Sequence, residues 1–559
     1  VGSEMCIRDR TGIGLLLGGL EEVAIRDARL TYDDRILGVV WESADTDIGV
    51  ARIRNGIVAK LGMAVPLSDD KRLALRAEGR HRWDSDESTF TVHFAGFDPA
   101  LISARSDKLE AWRGIAVPME GSVALWLDAD FKPRRARFIA GAKDGQFSGF
   151  GLYQDKPLPI KKLYAKGQFS AKDQSVRLDN LNVDLGGPQV SGRAAVRKEE
   201  GRYHIGADAT LLETPMDELA HYWPEKLAHD TRKWVTMHLS KGTARKATID
   251  LDMLYNPTPE DGVPSAEIKT LDGIIDFDGI TVDYFPPLMP VDNVRGQATY
   301  DAHDFNLAIT GGTLGDMKVS KSAIAITNLA DNDPATDVMI DIGVNLSGPV
   351  KTALKVLEPK PLAYPDMLGI KVDDVAGSAD VDVSFKFPLH HGLHISEVKV
   401  TADAKINDLV MPKMVSGMTV SGGPMELTVS NGALAVKGVG KLGNMPMTFD
   451  WNKNFEASKD GLDNSVKAEL TLDDAARRAF GVPESILLKG SVPSKIEYKA
   501  RKDGSATLDL ASDISPATLE IEEIGFSKPA GTVGSAQMKI ALQGGAPTRI
   551  ENIIVETAG

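Results

Sequence analysis

The chain has 559 residues, of which 42% are hydrophobic and 26% charged, and its formal net charge is −15. These are the proportions of an ordinary folded protein, long enough for several domains or for one repeat array. The acidity argues against wrapping nucleic acid or lying on an anionic membrane, and a single cysteine, Cys6, excludes a disulfide framework and a zinc-thiolate site.

The first ten residues, VGSEMCIRDR, lack an initiator methionine, and Glu4, Arg8, Asp9 and Arg10 leave no apolar core of signal-peptide length. The string resembles the translation of a sequencing adapter. It is expected to be non-native, which would leave a native fragment with no cysteine. The following TGIGLLLGGL is short of the roughly 18 apolar residues that a membrane span needs, and Glu21 and Glu22 end it.

From there on, period-2 alternation dominates. ATIDLDM sets Ile249, Leu251 and Met253 on one face against Thr248, Asp250 and Asp252 on the other. SADVDVSFKF sets Val381, Val383, Phe385 and Phe387 against Asp380, Asp382, Ser384 and Lys386, and EVKVTADAKI and SATLDLASDI read alike. Each pattern predicts a half-buried strand with one apolar and one wet face. Asn431-Gly432, Asp503-Gly504 and Gly311-Gly312 are read as the turns of an antiparallel meander.

A few helical segments interrupt the strands. Asp98-Pro99 opens one at FDPALISARSDKLEAW. Thr214-Pro215 caps a second, with Met216, Leu219, Ala220 and Trp223 at helical spacing. Ser347 and Pro349 open a third, with Val350, Ala353, Leu354 and Leu357. A fourth starts at Thr471, with Leu472, Ala475, Ala476 and Ala479. These helices recur roughly every 120 residues, and each is followed by a glycine (Gly121, Gly242, Gly377, Gly490) and an alternating strand, which points to an elongated repeat protein. Their apolar stripes are short and one-sided, so they are expected to flank the sheet.

No constellation points to catalysis. His390, His391 and His394 in HHGLH read as a solvated loop, and no metal site is expected there. Gly438, Gly440 and Gly443 match a dinucleotide pattern but run into a strand rather than a helix. Gly311 to Asp316 stands alone as a single calcium-roll unit. Asp276, Asp278 and Gly279 lack the rest of a calcium loop and read as a strand-end turn. No nucleophile elbow, zinc helix or phosphate loop is present. The chain is read as having no enzymatic activity and no cofactor.

Four segments carry a resemblance to a known family. AIRDARLTYDDRILG (24–38) resembles the early strand motif of AsmA-like proteins. HYWPEKLAHDTRKWVTMHLSKGTARKATIDLDM (221–253) and FDGITVDYFPPLMPVDNVRGQATYD (277–301) are similar to the YhdP-type subgroup. So is DLASDISPATLEIEEIGFSKPAG (509–531), with its Lys-Pro turn. The resemblance covers residues 20–559.

The resemblance implies an envelope protein of Gram-negative bacteria, anchored in the inner membrane through a segment missing here, with a periplasmic part that moves phospholipid toward the outer membrane. The fold it implies is mainly β: an elongated, repetitive, twisted antiparallel sheet curved into a groove, with a few short flanking helices. The expected organisation is residues 1–10 as the non-native segment, 11–210 as N-terminal groove repeats, and 211–345, 346–470 and 471–559 as helix-plus-β repeats, the last truncated. The expected partners are phospholipid acyl chains, the inner membrane and other envelope proteins, with no nucleic acid. Val381, Val383, Phe385, Phe387, Ile249, Leu251 and Met253 are expected to line the groove. Periodicity alone leaves open a closed core, in which the Val381–Phe387 face would pack under the helix at Val350 to Leu357. A scaffold with such a core is the second reading of function, and a polysaccharide-acting enzyme with paired carboxylates the third.

Overall fold

The computed structural model describes residues 21–558, except 36, 86, 150–152, 154–155, 226, 258–264, 330–336, 361, 391, 416, 456–460 and 480–486. The adapter-like segment and the stretch after it, as well as His391, lie outside the described residues. Among the described residues, thirty-one strands belong to one antiparallel sheet, and Leu487–Lys489, Thr518–Ile521 and Phe526–Lys528 form a separate three-stranded one. The mainly β, antiparallel reading with a few short helices holds. The chain divides into two compact units, Val1–Asp278 with Thr299–Ala302, and Gly279–Ala298 with His303–Gly559.

In the first unit most strands pair with the next in sequence, from Glu22–Asp34 onward to Ser265–Val282. The turns explain the register. Glu199 pairs with Arg202 across a two-residue loop, Glu200-Gly201, with φ of +49° and +83°, the backbone that matches strand twist in a tight hairpin. Among the described residues of this unit, two hydrophobic clusters form packed core. Ile102, on the helix Pro99–Ser103, packs with Val65, Leu67 and Leu73. Asp98 caps that helix, accepting from Leu101 N at 3.4 Å and pairing with Lys71 Nζ at 3.3 Å. Val117, Ala142, Ile160 and Leu185 form the other cluster, with Tyr222 against it.

In the second unit, the helix Val350–Val356 inserts Val350 and Leu354 into one cluster and Ala353 and Val356 into another. The helix Asp474–Ala479 buries Ala476 against Leu470, Leu472 and Val492. Both helices flank the sheet, as their one-sided stripes predict. Arg477 ties the second to its surroundings by donating to the carbonyls of Leu472 (3.0 Å), Gly490 (2.8 Å) and Leu488 (2.8 Å).

Four local expectations need correction. Thr214 does not cap a helix: it ends the strand Arg202–Pro215, fully buried, and the following helical turn starts from Pro215 without a side-chain cap. Thr471 and Leu472 are strand residues, and the cap is Asp473, whose carboxylate accepts from Ala476 N at 2.7 Å. Gly311-Gly312 lies inside the strand Phe305–Leu314, and the turn comes at Gly315, where φ is +56°. Asp278-Gly279 lies inside the strand Ser265–Val282, where Gly279 takes φ +74° and Asp278 pairs with Arg245 at 2.6 Å. In each case the ladder overrode a short-range turn or cap signal.

Candidate functional site

Directly opposed residues in an antiparallel ladder share a face, so register can be followed across a sheet as rows of side chains. Leu251 pairs with Leu271 on one side and Ala207 on the other, and the row continues through Ala194, Leu178 and Gly167. Beyond Gly167 it runs through Phe138, Val123, Val92, Ala77, Leu61 and Ile48 to Ile25. Thirteen strands therefore contribute to one row with no polar side chain in it.

Two more rows run alongside on the same face. Met253 belongs to the row from Ile268 through Ile205, Val176 and Phe90 to Val23, which is also wholly apolar apart from Gly79. Ile249 belongs to the row from Gly273 through Ala209, Leu181 and Phe94 to Ala28, in which Thr46 is the one hydroxyl. Among the described residues, no member of the first two rows joins either packed cluster of this unit. Val23, Ile25, Val50, Val176 and Ile268 are exposed. The wet side carries Arg193 against Asp208 at 3.1 Å and His204 Nε2 against Asp252 at 2.7 Å.

Strand-interior glycines distinguish the two sides. A Cβ placed on Gly121, Gly167, Gly192 or Gly273, all on the apolar side, would fall 2.0–2.4 Å from a carbonyl oxygen of the adjoining strand. On the polar side, Gly49 has nothing within 4 Å, and the nearest atoms to Gly141 and Gly206 lie at 3.6 and 4.0 Å. The adjoining backbone thus folds in toward the apolar side, and only glycine leaves room for it.

The second unit also carries a long apolar row, but Leu346, Val381, Leu427, Val436 and Trp451 of it belong to or pack against its core clusters. Val381 pairs with Leu346 and Ala404, and its row extends through Leu427, Val436, Trp451, Val466 and Tyr498 to Ile550. The neighbouring wet row alternates in sign through Asp380, Lys405, Glu426, Lys437, Asp450, Lys467 and Glu497. A cleft of about 1200 Å³ in this unit has Thr448, Glu469, Lys495, Ala511 and Gln537 among its lining residues. The row of Val383, through Ala402, Val429 and Leu434, meets a polar side chain at Lys453, which is paired with Asp463 at 2.6 Å.

All seven expected lining residues lie on these apolar faces. Val381 is the exception in its surroundings, since it packs against the clusters that hold Val350 and Ala353 and is covered by that helix. Val383, Phe385 and Phe387 are half-buried and belong to no packed cluster among the described residues. The sequence reading passed over the apolar-face residues before 210, although TFTVHF alternates Phe90, Val92 and Phe94 as strictly as the strands it selected. It also overlooked the carboxylate near HHGLH. Glu397 accepts from His394 N at 2.7 Å and lies 3.2 Å from His390 Nε2. Among the described residues, no group of three His, Cys, Asp or Glu could hold a metal ion. The dinucleotide-like Gly438 and Gly440 fall on one strand, Ala433–Leu442, and Gly443 on the turn into the next, Met445–Asn454.

Fold and faces together define a class: repetitive antiparallel β-proteins that present a long aliphatic surface. The family described as YhdP protein matches residues 20–549, and the chain belongs to that family. No curated protein shows a significant match. Among the described residues, no helix is long and apolar enough to cross a membrane.

Proposed function

We propose that the protein is a non-enzymatic lipid conduit of the bacterial periplasm, carrying phospholipid acyl chains along its apolar faces between the inner and outer membranes. Membership of the YhdP family supports a lipid-transport-related envelope role. The observation that carries the reading is the row from Leu271 to Ile25, thirteen residues wide without a polar side chain and outside the packed core.

The energetics favour chains over head groups. Each methylene withdrawn from water is worth about 0.8 kcal/mol, so a chain of roughly sixteen carbons gains about 10 kcal/mol with no specific contact. Binding that depends on area alone lets a chain shift along the face, which suits transport and needs no catalytic group. In this reading the inner membrane and other envelope proteins would act as partners.

Native mass spectrometry of the purified protein tests this reading. Co-purifying phospholipid is expected, and a preparation that is lipid-free and fails to take up labelled phospholipid from vesicles overturns it. The competing scaffold reading draws on Val381, which a helix covers, but the uncovered rows of the first unit favour the conduit.

A further inference from the structure

A glycine inside a strand leaves a gap in its face. In the first unit, four such gaps on the apolar side are filled by aromatic rings. A Cβ on Gly79 would lie 2.3 Å from Phe90 Cε1, one on Gly167 2.6 Å from Phe138 Cζ, and one on Gly121 2.9 Å from Phe94 Cζ. Each of these three rings comes from the residue directly opposite its glycine. The fourth is Tyr300, whose Cζ would meet a Cβ on Gly273 at 2.2 Å, while its hydroxyl reaches over that strand to donate to Thr248 O at 2.9 Å.

Side chains on strands ordinarily stand up from the sheet. These four rings lie down over their glycines and leave the face level at those points, whereas Phe169, in the row of Phe90, is opposed by Val176 and Ala136. On the polar side no ring fills a glycine: Gly49 has nothing within 4 Å and Gly62 only Asp47 Cβ at 4.0 Å.

We propose that these glycine–aromatic pairs, above all Gly79–Phe90 and Gly167–Phe138, which lie outside the packed clusters, set the clearance above the first unit's apolar face and so select slender, flexible aliphatic chains over rigid fused-ring lipids. This rests on the acyl-chain reading above. Adjacent strands rotate by about 20–25° relative to one another, and a flexible chain follows that rotation along a level floor. A rigid plate cannot follow it, and fits only where a ring is removed and a pit opens.

The test loads the full chain from vesicles containing either tail-labelled phosphatidylethanolamine or the fluorescent sterol dehydroergosterol. Wild-type protein should load the phospholipid and load the sterol several-fold less. Phe90→Ala with Phe138→Ala opens two pits and should raise sterol loading several-fold while phospholipid loading persists. Gly79→Ala with Gly167→Ala drives two rings up and should reduce phospholipid loading several-fold, whereas Gly49→Ala on the polar side should leave it unchanged. Should the glycine variants fail to fold, the phenylalanine variants decide. Equal loading of both lipids by wild type, or an unchanged sterol-to-phospholipid ratio after Phe90→Ala/Phe138→Ala, overturns the proposal. Loading of neither lipid by wild type overturns the conduit reading beneath it.

Discussion

Lys528 Nζ donates to the carbonyl of Ile514 at 2.8 Å, inside the second unit and with only 2% of the residue exposed. The ammonium also donates to Ala517 O at 2.9 Å and to Pro529 O at 3.3 Å. A buried charge is tolerated only when its donors are used, and here one side chain gathers carbonyls from two stretches of chain. The Lys-Pro turn of the family resemblance therefore has a structural reason. Lys528→Met keeps the volume but strands those carbonyls, and should cost roughly 2–4 kcal/mol. Urea unfolding checks it, and a variant as stable as wild type removes the pin.

His221 gives a pH dependence. Its Nδ1 is buried without a hydrogen-bond partner, its ring lies 5.2 Å from that of Tyr222, and Glu218 and Lys156 are its charged neighbours. Burial, followed by the Lys156 charge, pushes its pKa below the ordinary value of 6.5, with Glu218 opposing. The folded state thus binds protons less readily than the unfolded one, so this contribution is present above the unfolded pKa and is lost as pH falls below it. Thermal stability should drop on acidification from neutral through the histidine range, and His221→Gln should flatten the drop. A variant with the wild-type pH profile contradicts the assignment.

The sign-alternating wet row predicts a small, salt-dependent effect. Lys437 Nζ lies 3.2 Å from Glu426 and sits in register between Glu426 and Asp450. Lys437→Glu places three acids side by side. The expected loss is about 0.5–1 kcal/mol at low salt, because exposed pairs are weak. It should fade near 1 M salt, where screening acts within about 3 Å. A loss that persists at high salt would mean that packing by the lysine stem matters more than its charge.

Period 2 made the strands legible, and with them which residues share a face, because alternation is dictated by the pleat itself. Ile249, Leu251 and Met253 could be placed on one face from ATIDLDM alone. Which row each joins was not legible, since register depends on turns and bulges, such as Asp278-Gly279 inside its strand, that short-range signals misplace. The glycine–aromatic pairs were also hidden: Gly79 and Phe90 become neighbours only through the hairpin between them. Thr214 shows the opposite error. A capping residue before a proline reads as a helix start, yet the ladder to Ala244 claims it for the sheet.

Val381 and Val383, two residues apart on one apolar face, should respond in opposite ways to the same substitution. Val381 touches clusters built around Val350 and Ala353. An aspartate there would be an unpaired charge under a helix, and Val381→Asp should cost several kcal/mol and unfold the second unit. Val383 pairs with Val344 and Ala402, is half-buried, and lies in no packed cluster among the described residues. There a carboxylate can stay hydrated, so Val383→Asp should fold with a nearly unchanged melting temperature, but it interrupts the aliphatic surface and should lower phospholipid occupancy. Circular dichroism melts together with lipid counts by mass spectrometry separate the two variants. If Val383→Asp unfolds as readily as Val381→Asp, and wild-type protein carries no lipid, this strand belongs to a closed core and has no place in the conduit.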